Sequence, residues 1–256
     1  MDVGRHEIHF SKGAGKTPLK VLQLSDLHAS PVVSLNFIKQ AIRLGLKSQP
    51  DLILLTGDFI THKFHQLEGY VEALSPLAKS APTFACLGNH DGGLWAVRGG
   101  GYEDTEFVRR VLSKANVTLL HNAAQTVHIQ DWNLTLIGLG DSWAQEMLPD
   151  KAFAQAPDRR GDATLLMSHN PDTKMALKAY AWDLMLCGHT HGGQVCLPLI
   201  GAPFAPVRDK KFLGGLYDWD NRWIHVTRGV GNLHGVRFNC RPEVSLLTLT
   251  QIDASP

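Results

Sequence analysis

The sequence predicts an α/β fold: a four-layer α/β/β/α sandwich of two mixed sheets packed face to face, with helices outside. Three observations carry that reading. Short apolar runs alternate with amphipathic stretches at helical spacing, the pattern of βαβ units around a mainly parallel sheet. A middle region breaks this alternation with closely spaced strands separated only by turn residues. The run at 52–55 is unbroken rather than alternating, as a strand buried on both faces is.

In chain order, residues 20–24 (KVLQL) read as a strand, and residues 35–47 as a helix with Leu35, Ile38, Ile42 and Leu46 at helical spacing. Residues 52–55 are the second strand, 70–79 a helix, 83–87 the third strand and 103–115 a helix with Phe107, Val108, Val111 and Leu112 on one side. Residues 117–120, 126–129 and 134–139 are neighbouring, partly antiparallel strands. Alternation then returns with a strand at 164–167, a helix at 172–180 and a strand at 184–187. Residues 223–227 and 244–249 close the chain as strands. There is no internal repeat, low-complexity segment or interdomain linker. One domain is expected over 18–252, preceded by a polar extension over 1–17.

Composition narrows the function classes. With 256 residues, 44% hydrophobic and 19% charged, the chain is long enough to bury a sizeable core. A net charge of +1 supplies no basic field for nucleic acid. No apolar run approaches the roughly 18 residues needed to span a membrane, and the first seventeen residues contain no apolar signal region. The expected location is soluble, cytoplasmic or peripheral to the inner membrane; an anchor or export signal preceding this sequence would not be visible in it. None of the four cysteines forms a C-x-x-C pair, and Cys86 and Cys187 sit in strand-like runs as small buried hydrophobes.

The chemistry lies at strand ends. The first strand runs into Ser25-Asp26-Leu27-His28, the second into Gly57-Asp58, and the third into Gly88-Asn89-His90-Asp91. The later strands run into Ser168-His169 and Gly188-His189-Thr190-His191. Parallel sheets bind ligands outside the carboxyl ends of their strands, so five strand ends present polar groups to one place. Carboxylate and imidazole suit divalent Mn, Fe and Zn, and no thiolate is needed. In D-x-H and H-x-H, alternate residues share one side of an extended backbone, and Asp58 on a central strand is the natural bridge between two cations. The glycines Gly57, Gly88 and Gly188 are expected to let the backbone turn sharply where each ligand projects. Each motif alone is weak; five in this placement are not.

Asp26-x-His28, Gly57-Asp58, Gly88-Asn89-His90-Asp91, His169 and Gly188-His189-x-His191 resemble, in order, the signature of the calcineurin-like metallophosphoesterases. The strings SDLH, GDFI, GNHD, SHNPD, LMLCGHTHGGQ, GAPFAPVRDK and TRGVG are similar to the YaeI/YkuE branch of bacterial phosphodiesterases. The resemblance implies two divalent ions per chain, manganese first, with Fe, Zn, Mg or Ni as alternatives. It implies that Asp26, His28, Asp58 and His191 hold one ion and Asp58, Asn89, His169 and His189 the other. It further implies that His90 stabilises the phosphate or protonates the leaving group, and that Asp91 orients His90 by hydrogen bonding. The expected reaction is hydrolysis of a phosphodiester or pyrophosphate bond by metal-activated water.

The substrate is read more coarsely. Any of Arg208, Lys210, Lys211, Arg228, Arg237 and Arg241 could hold a second phosphate, or else each is ordinary solvated charge; Arg208 and Arg228 are the candidate substrate contacts, Arg228 first because the glycines of Thr-Arg-Gly-Val-Gly leave room for a ligand. Residues 92–102 (GGLWAVRGGGY) follow the Asn-His-Asp motif directly and offer an apolar tip. That tip is read as a lid or an acyl-chain contact, or else as Trp95 packing into the body. Some relatives of the family act on UDP-diacylglucosamine, so a small-molecule or lipid-linked phosphodiester and a peripheral membrane contact are expected partners, and nucleic acid is not. The alternatives are a phosphomonoesterase or nuclease on the same site, and a non-catalytic metal-stabilised scaffold.

Overall fold

A computed structural model describes residues 1–10, 15, 17–157 and 162–251. One sheet contains β1 (Asp2–Phe10), β12 (Glu243–Gln251), β2 (Leu19–Leu24), β3 (Leu52–Thr56), β4 (Thr83–Cys86) and β5 (Thr118–Leu119), in that spatial order. The other contains β10 (Gly215–Trp219), β11 (Arg222–Val226), β9 (Leu184–Cys187), β8 (Ala163–Met167), β7 (Trp132–Gly138) and β6 (Ala123–Ile129). Both are mixed: β12 runs antiparallel to β2 but parallel to β1, and antiparallel β10 and β6 flank the parallel β11-β9-β8-β7.

The apolar runs explain the layering. In β3, Leu52 and Leu54 face the second sheet, while Ile53 and Leu55 face the helices, so every position is buried and no alternation shows. Trp132, Leu134, Leu136, Leu165 and Leu184 supply the facing side of the core between the sheets. Helices α1 (Leu35–Leu46), α2 (Leu67–Ser80) and α4 (Glu106–Lys114) cover the first sheet through Ile38, Ile42, Leu74, Leu77, Val108 and Val111. Ser34 starts α1 by accepting the N–H of Phe37 on its side chain at 3.3 Å. The second sheet has a thinner cover: among the described residues, the short α5 (Pro149–Phe153) and loop side chains such as Leu177, Trp182 and Phe212 pack on its outer side.

Four expectations change. Residues 117–120, expected beside the strands at 126–129 and 134–139, form β5 next to β4 in the first sheet, whereas β6 and β7 pair in the second. The helix read over 172–180 is a 3₁₀ turn, Pro171–Met175. The Asn170 side chain bonds Asp172 N–H at its start, the indole N–H of Trp182 takes the carbonyl of Leu177, and the buried Lys174 turns inward to Asp209 and the Phe212 ring. Strand β10 has no apolar run of its own; its signal is the Asp220-Asn221 turn, both residues at positive φ, which closes a hairpin with β11. Residues 2–10, read as polar extension, form β1 and place Ile8 and Phe10 in the core between the sheets. Residues 11–14, 16 and 252, at the expected boundaries, lie outside the described residues. No helix among the described residues is long and apolar enough to cross a membrane.

If β1 is integral, Ile8→Ala should destabilise the protein by about 2–5 kcal/mol in urea denaturation, as burial in a packed core requires. An unchanged midpoint would return residues 1–10 to the status of an appendage.

Candidate metal centre

Strands β2, β3 and β4 of one sheet and β8 and β9 of the other end at a common edge, and the loops there are stitched together by backbone bonds. Asp26 N–H donates to Gly57 O at 2.9 Å, His28 N–H to Asp58 O at 3.0 Å, and Gly188 N–H to His169 O at 2.9 Å. Across the sheets, His189 N–H donates to Asp26 Oδ1 at 3.0 Å. Asp26, His28, Asp58, His189 and His191 all have φ between 48 and 68°, a left-handed conformation that non-glycine residues rarely adopt and that costs about 1–3 kcal/mol apiece. The left-handed residue aims its own side chain inward at the point where the strand stops.

The glycines serve a purpose different from the one expected for two of the three. Gly57 does need its φ of 90°. Gly88 and Gly188 have no positive φ; they are glycines because of their neighbours. A Cβ on Gly88 would lie 2.3 Å from Asp58 Oδ1, and one on Gly188 would lie 2.0 Å from Ser25 Oγ and 2.3 Å from Asp26 Oδ2. Each glycine makes room for a carboxylate on another strand.

Two trios of ligand-type atoms result: Asp26, His28 and His191, and Asp58, His169 and His189. Within each trio the atoms all lie within 4.8 Å of one another. Asp58 Oδ2 links them, at 3.4 Å from His28 Nε2 and 3.1 Å from His169 Nε2. Asn89 is buried beside them with its Oδ1 lacking any hydrogen-bond partner. Three rings have their outer nitrogen fixed by an acceptor. His28 Nδ1 meets Thr61 Oγ1 at 3.1 Å, a hydroxyl whose own proton goes to His28 O. His169 Nδ1 meets Thr56 O at 2.6 Å, and His189 Nε2 meets Pro206 O at 3.1 Å. An oxygen with no proton to give only accepts, so the outer nitrogen carries the proton and the inner one points at the centre. Burial lowers the pKa of His28 and His189 to about 3 and holds that of His191 well below the ordinary imidazole value, which keeps these rings neutral. Burial opposes charge on His169 too, but Asp58, Asp26 and Asp141 outweigh it and raise its pKa well above the ordinary value. Burial raises Asp26 to about 6. Buried carboxylates facing imidazole nitrogens fit a divalent cation, and the unsatisfied Asn89 oxygen fits a further ligand.

His90 is half-buried at the rim. Its Nδ1 faces Thr61 O at 3.2 Å, so Nε2 is the nitrogen left for chemistry. Asp91 does not orient it, contrary to expectation. Wholly buried, Asp91 accepts N–H bonds from Gly88 (2.8 Å), Asp58 (3.0 Å), Phe59 (2.6 Å) and Ile60 (3.4 Å). Four donors saturate both its oxygens, and it holds the Asp58 loop instead. Arg228 is likewise diverted from substrate: its guanidinium pairs with Glu243 and, at 3.2 Å, with Asp2. Arg208 is exposed two residues beyond Pro206, with its backbone N–H held by Asp172.

Arg237, one of the basic residues that could have met a phosphate, and Asp141, not singled out from sequence, also shape the centre. Arg237 donates to the carbonyls of Arg228, Gly229, Gly231 and His191, and its Nη2 stands 3.2 Å from His191 Nδ1. Asp141 is buried at the end of β7, another strand ending in Gly-Asp, a signal the sequence did offer. Its Oδ1 accepts the N–H groups of Trp143 and Ala144. Trp143 in turn sets its ring 4.4 Å from His189, and Trp95 packs on Trp143 at 4.5 Å. Trp95 lies in α3 (Leu94–Arg98), whose Leu94 and Val97 are exposed. A cavity of about 380 Å³ beside His191 is lined in part by Val195, Phe204, Pro206 and Leu233.

Residues 19–193 match the calcineurin-like phosphoesterase family. The chain is 44% identical over 246 residues to phosphodiesterase YaeI of Escherichia coli (strain K12), covering 96% of this chain and 87% of that protein. It is 29% identical over 275 residues to the UDP-2,3-diacylglucosamine pyrophosphatase LpxG of Chlamydia muridarum, covering 90% of this chain and 83% of that one. Among solved structures, TT1561 of Thermus thermophilus superposes with a TM-score of 0.51 at 14% identity, covering 84% of this chain and 91% of that chain, a likeness of fold.

Asp91→Ala removes the acceptor of four buried N–H groups, and should cost about 3 kcal/mol or more in urea denaturation. Were Asp91 acting only through His90, the stability of this variant would match the parent while its rate fell.

Proposed function

Because the chain belongs to the calcineurin-like phosphoesterase family, we propose that it is a phosphodiesterase that hydrolyses a phosphodiester or pyrophosphate bond at a dinuclear metal centre. The observation that carries the reading is the set of inward-facing nitrogens: buried imidazoles with their outer protons committed to fixed acceptors, converging on two carboxylates. In this reading Asp26, His28, Asp58 and His191 hold one ion, and Asp58, Asn89, His169 and His189 the other, with manganese the first choice. Such a pair, when bound, supplies Lewis acidity to the phosphate oxygens and lowers the pKa of water toward neutrality.

The remaining steps belong to the chain. His90, its Nδ1 proton held by Thr61 O, presents Nε2 to the substrate; as the imidazolium it donates the Nε2 proton to a phosphate oxygen or to the departing alkoxide and is left as the neutral ring. Asp91 keeps the Asp58 loop rigid while charge develops beside it. Trp143 and Trp95 wall one side of the centre against water. The cavity beside His191 accommodates the organic part of the substrate. Its apolar lining, the exposed Leu199, Ile200 and Phe204 nearby in sequence, and the kinship with a pyrophosphatase named for UDP-2,3-diacylglucosamine support a lipid- or nucleotide-linked phosphate taken up beside a membrane surface.

The test uses bis-p-nitrophenyl phosphate and p-nitrophenyl phosphate with Mn²⁺, with EDTA as control. Faster, EDTA-sensitive release from the diester is expected; preference for the monoester would make the protein a phosphatase, and release from neither a binding scaffold. Asp58→Ala should lose both ions by elemental analysis, whereas His90→Ala should keep them and lose about 10²–10⁴-fold in kcat. Two ions retained by Asp58→Ala would refute the bridging assignment.

A further inference from the structure

A third trio of ligand-type side chains lies apart from this centre, where β1, β11 and β12 meet. His6, His225 and Glu243 each offer one nitrogen or oxygen, and these atoms all lie within 4.8 Å of one another. The two rings stand 4.8 Å apart, centre to centre. His225 is wholly buried, Glu243 nearly so, and His6 half-buried.

Hydrogen bonding dictates the His225 tautomer. The carbonyl of Cys187 only accepts, so the Gln23 amide nitrogen, 2.9 Å away, donates to it; the same nitrogen stands 3.0 Å from Thr56 Oγ1. Gln23 Oε1 therefore faces His225 Nδ1, at 2.7 Å, and that ring nitrogen carries the proton. His225 Nε2 is left with a lone pair, buried and without a hydrogen-bond partner among the described residues. Burial, with His6 beside it, lowers its pKa to about 3, so the ring stays neutral.

Glu243 is held in place for an incoming ion. Ser245 Oγ donates to its Oε1 at 2.6 Å, and Arg228 pairs with its Oε2 while sharing its own charge with Asp2. Oriented carboxylates of this kind are usual around bound metals. Above Glu243 Oε1 lies Gly4 of β1, where a Cβ would fall 2.6 Å from that oxygen. Glycine at this position makes room for the carboxylate beside the strand.

We infer that His6, His225 and Glu243 form a separate, mononuclear site for a zinc-class divalent cation, which ties the N-terminal edge strand to both sheets. Two imidazoles and one carboxylate are a zinc donor set, with the fourth position left to water; the imidazoles disfavour Mg²⁺ and Ca²⁺. The strands joined are β1 and β12 of one sheet and β11 of the other.

The test loads the protein with excess Zn²⁺, removes free metal by gel filtration and counts zinc per chain by elemental analysis. His6→Ala and the more conservative His6→Gln, both on an edge strand, are compared with the parent after circular dichroism confirms folding. Each variant should bind one zinc fewer and hydrolyse bis-p-nitrophenyl phosphate at the parent rate. Equal zinc counts in the parent and both variants would overturn the site. The difference of one does not depend on how many ions the phosphoesterase centre takes, so failure here and failure there are told apart.

Discussion

Two carboxylates, Asp26 and Asp58, are buried beside one another, and the rest of the centre follows from that. Burying an isolated carboxylate is costly unless positive charge or hydrogen-bond donors answer it. Here the answer has two parts. Backbone N–H groups serve the acids: His90 N–H donates to Asp58 Oδ1 and His189 N–H to Asp26. Imidazoles surround the point between the acids, and the negative charge of Asp58 and Asp26 raises the pKa of His169 despite its burial.

The fold's contribution is to bring strand ends from two sheets to one edge. A single parallel sheet presents its loops along a line, but two sheets face to face close that line into a cleft. Asp26 and Asp58 come from one sheet, His169 and His189 from the other, and the His189–Asp26 bond crosses between them. The cost is taken in backbone conformation, since five candidate ligands are left-handed. Such residues persist only where the surroundings fix them, and the Asp91 side chain, held by four N–H groups, is one of those restraints.

The surroundings of the centre are asymmetric. A tryptophan pair leans on His189, positioned through Asp141, and a mainly apolar cavity opens beside His191. Arg237 braces the intervening loop through its carbonyls rather than offering its charge to solvent. Arg228 and Arg237 are thus spent on Glu243, Asp2 and backbone carbonyls, and apolar side chains line much of the space around the centre.

Most of the architecture was legible in the sequence because helix and strand periodicity are local properties: the unbroken run at 52–55 and the helical spacing over 35–47 each mark an element within a few residues. The candidate ligands were legible for the same reason, since each stands where an apolar run stops. What tertiary structure decided were the partners. Whether Arg228 meets a substrate or Glu243, whether Asp91 meets His90 or four backbone amides, and whether Gly88 is needed for its own φ or for Asp58 depend on atoms far apart in the chain. The same holds for β1, whose weak local pattern gains its meaning only from parallel pairing with the last strand. A sequence states what each residue can do chemically; which of those capacities is spent is fixed by the register of packed strands and the space left between them.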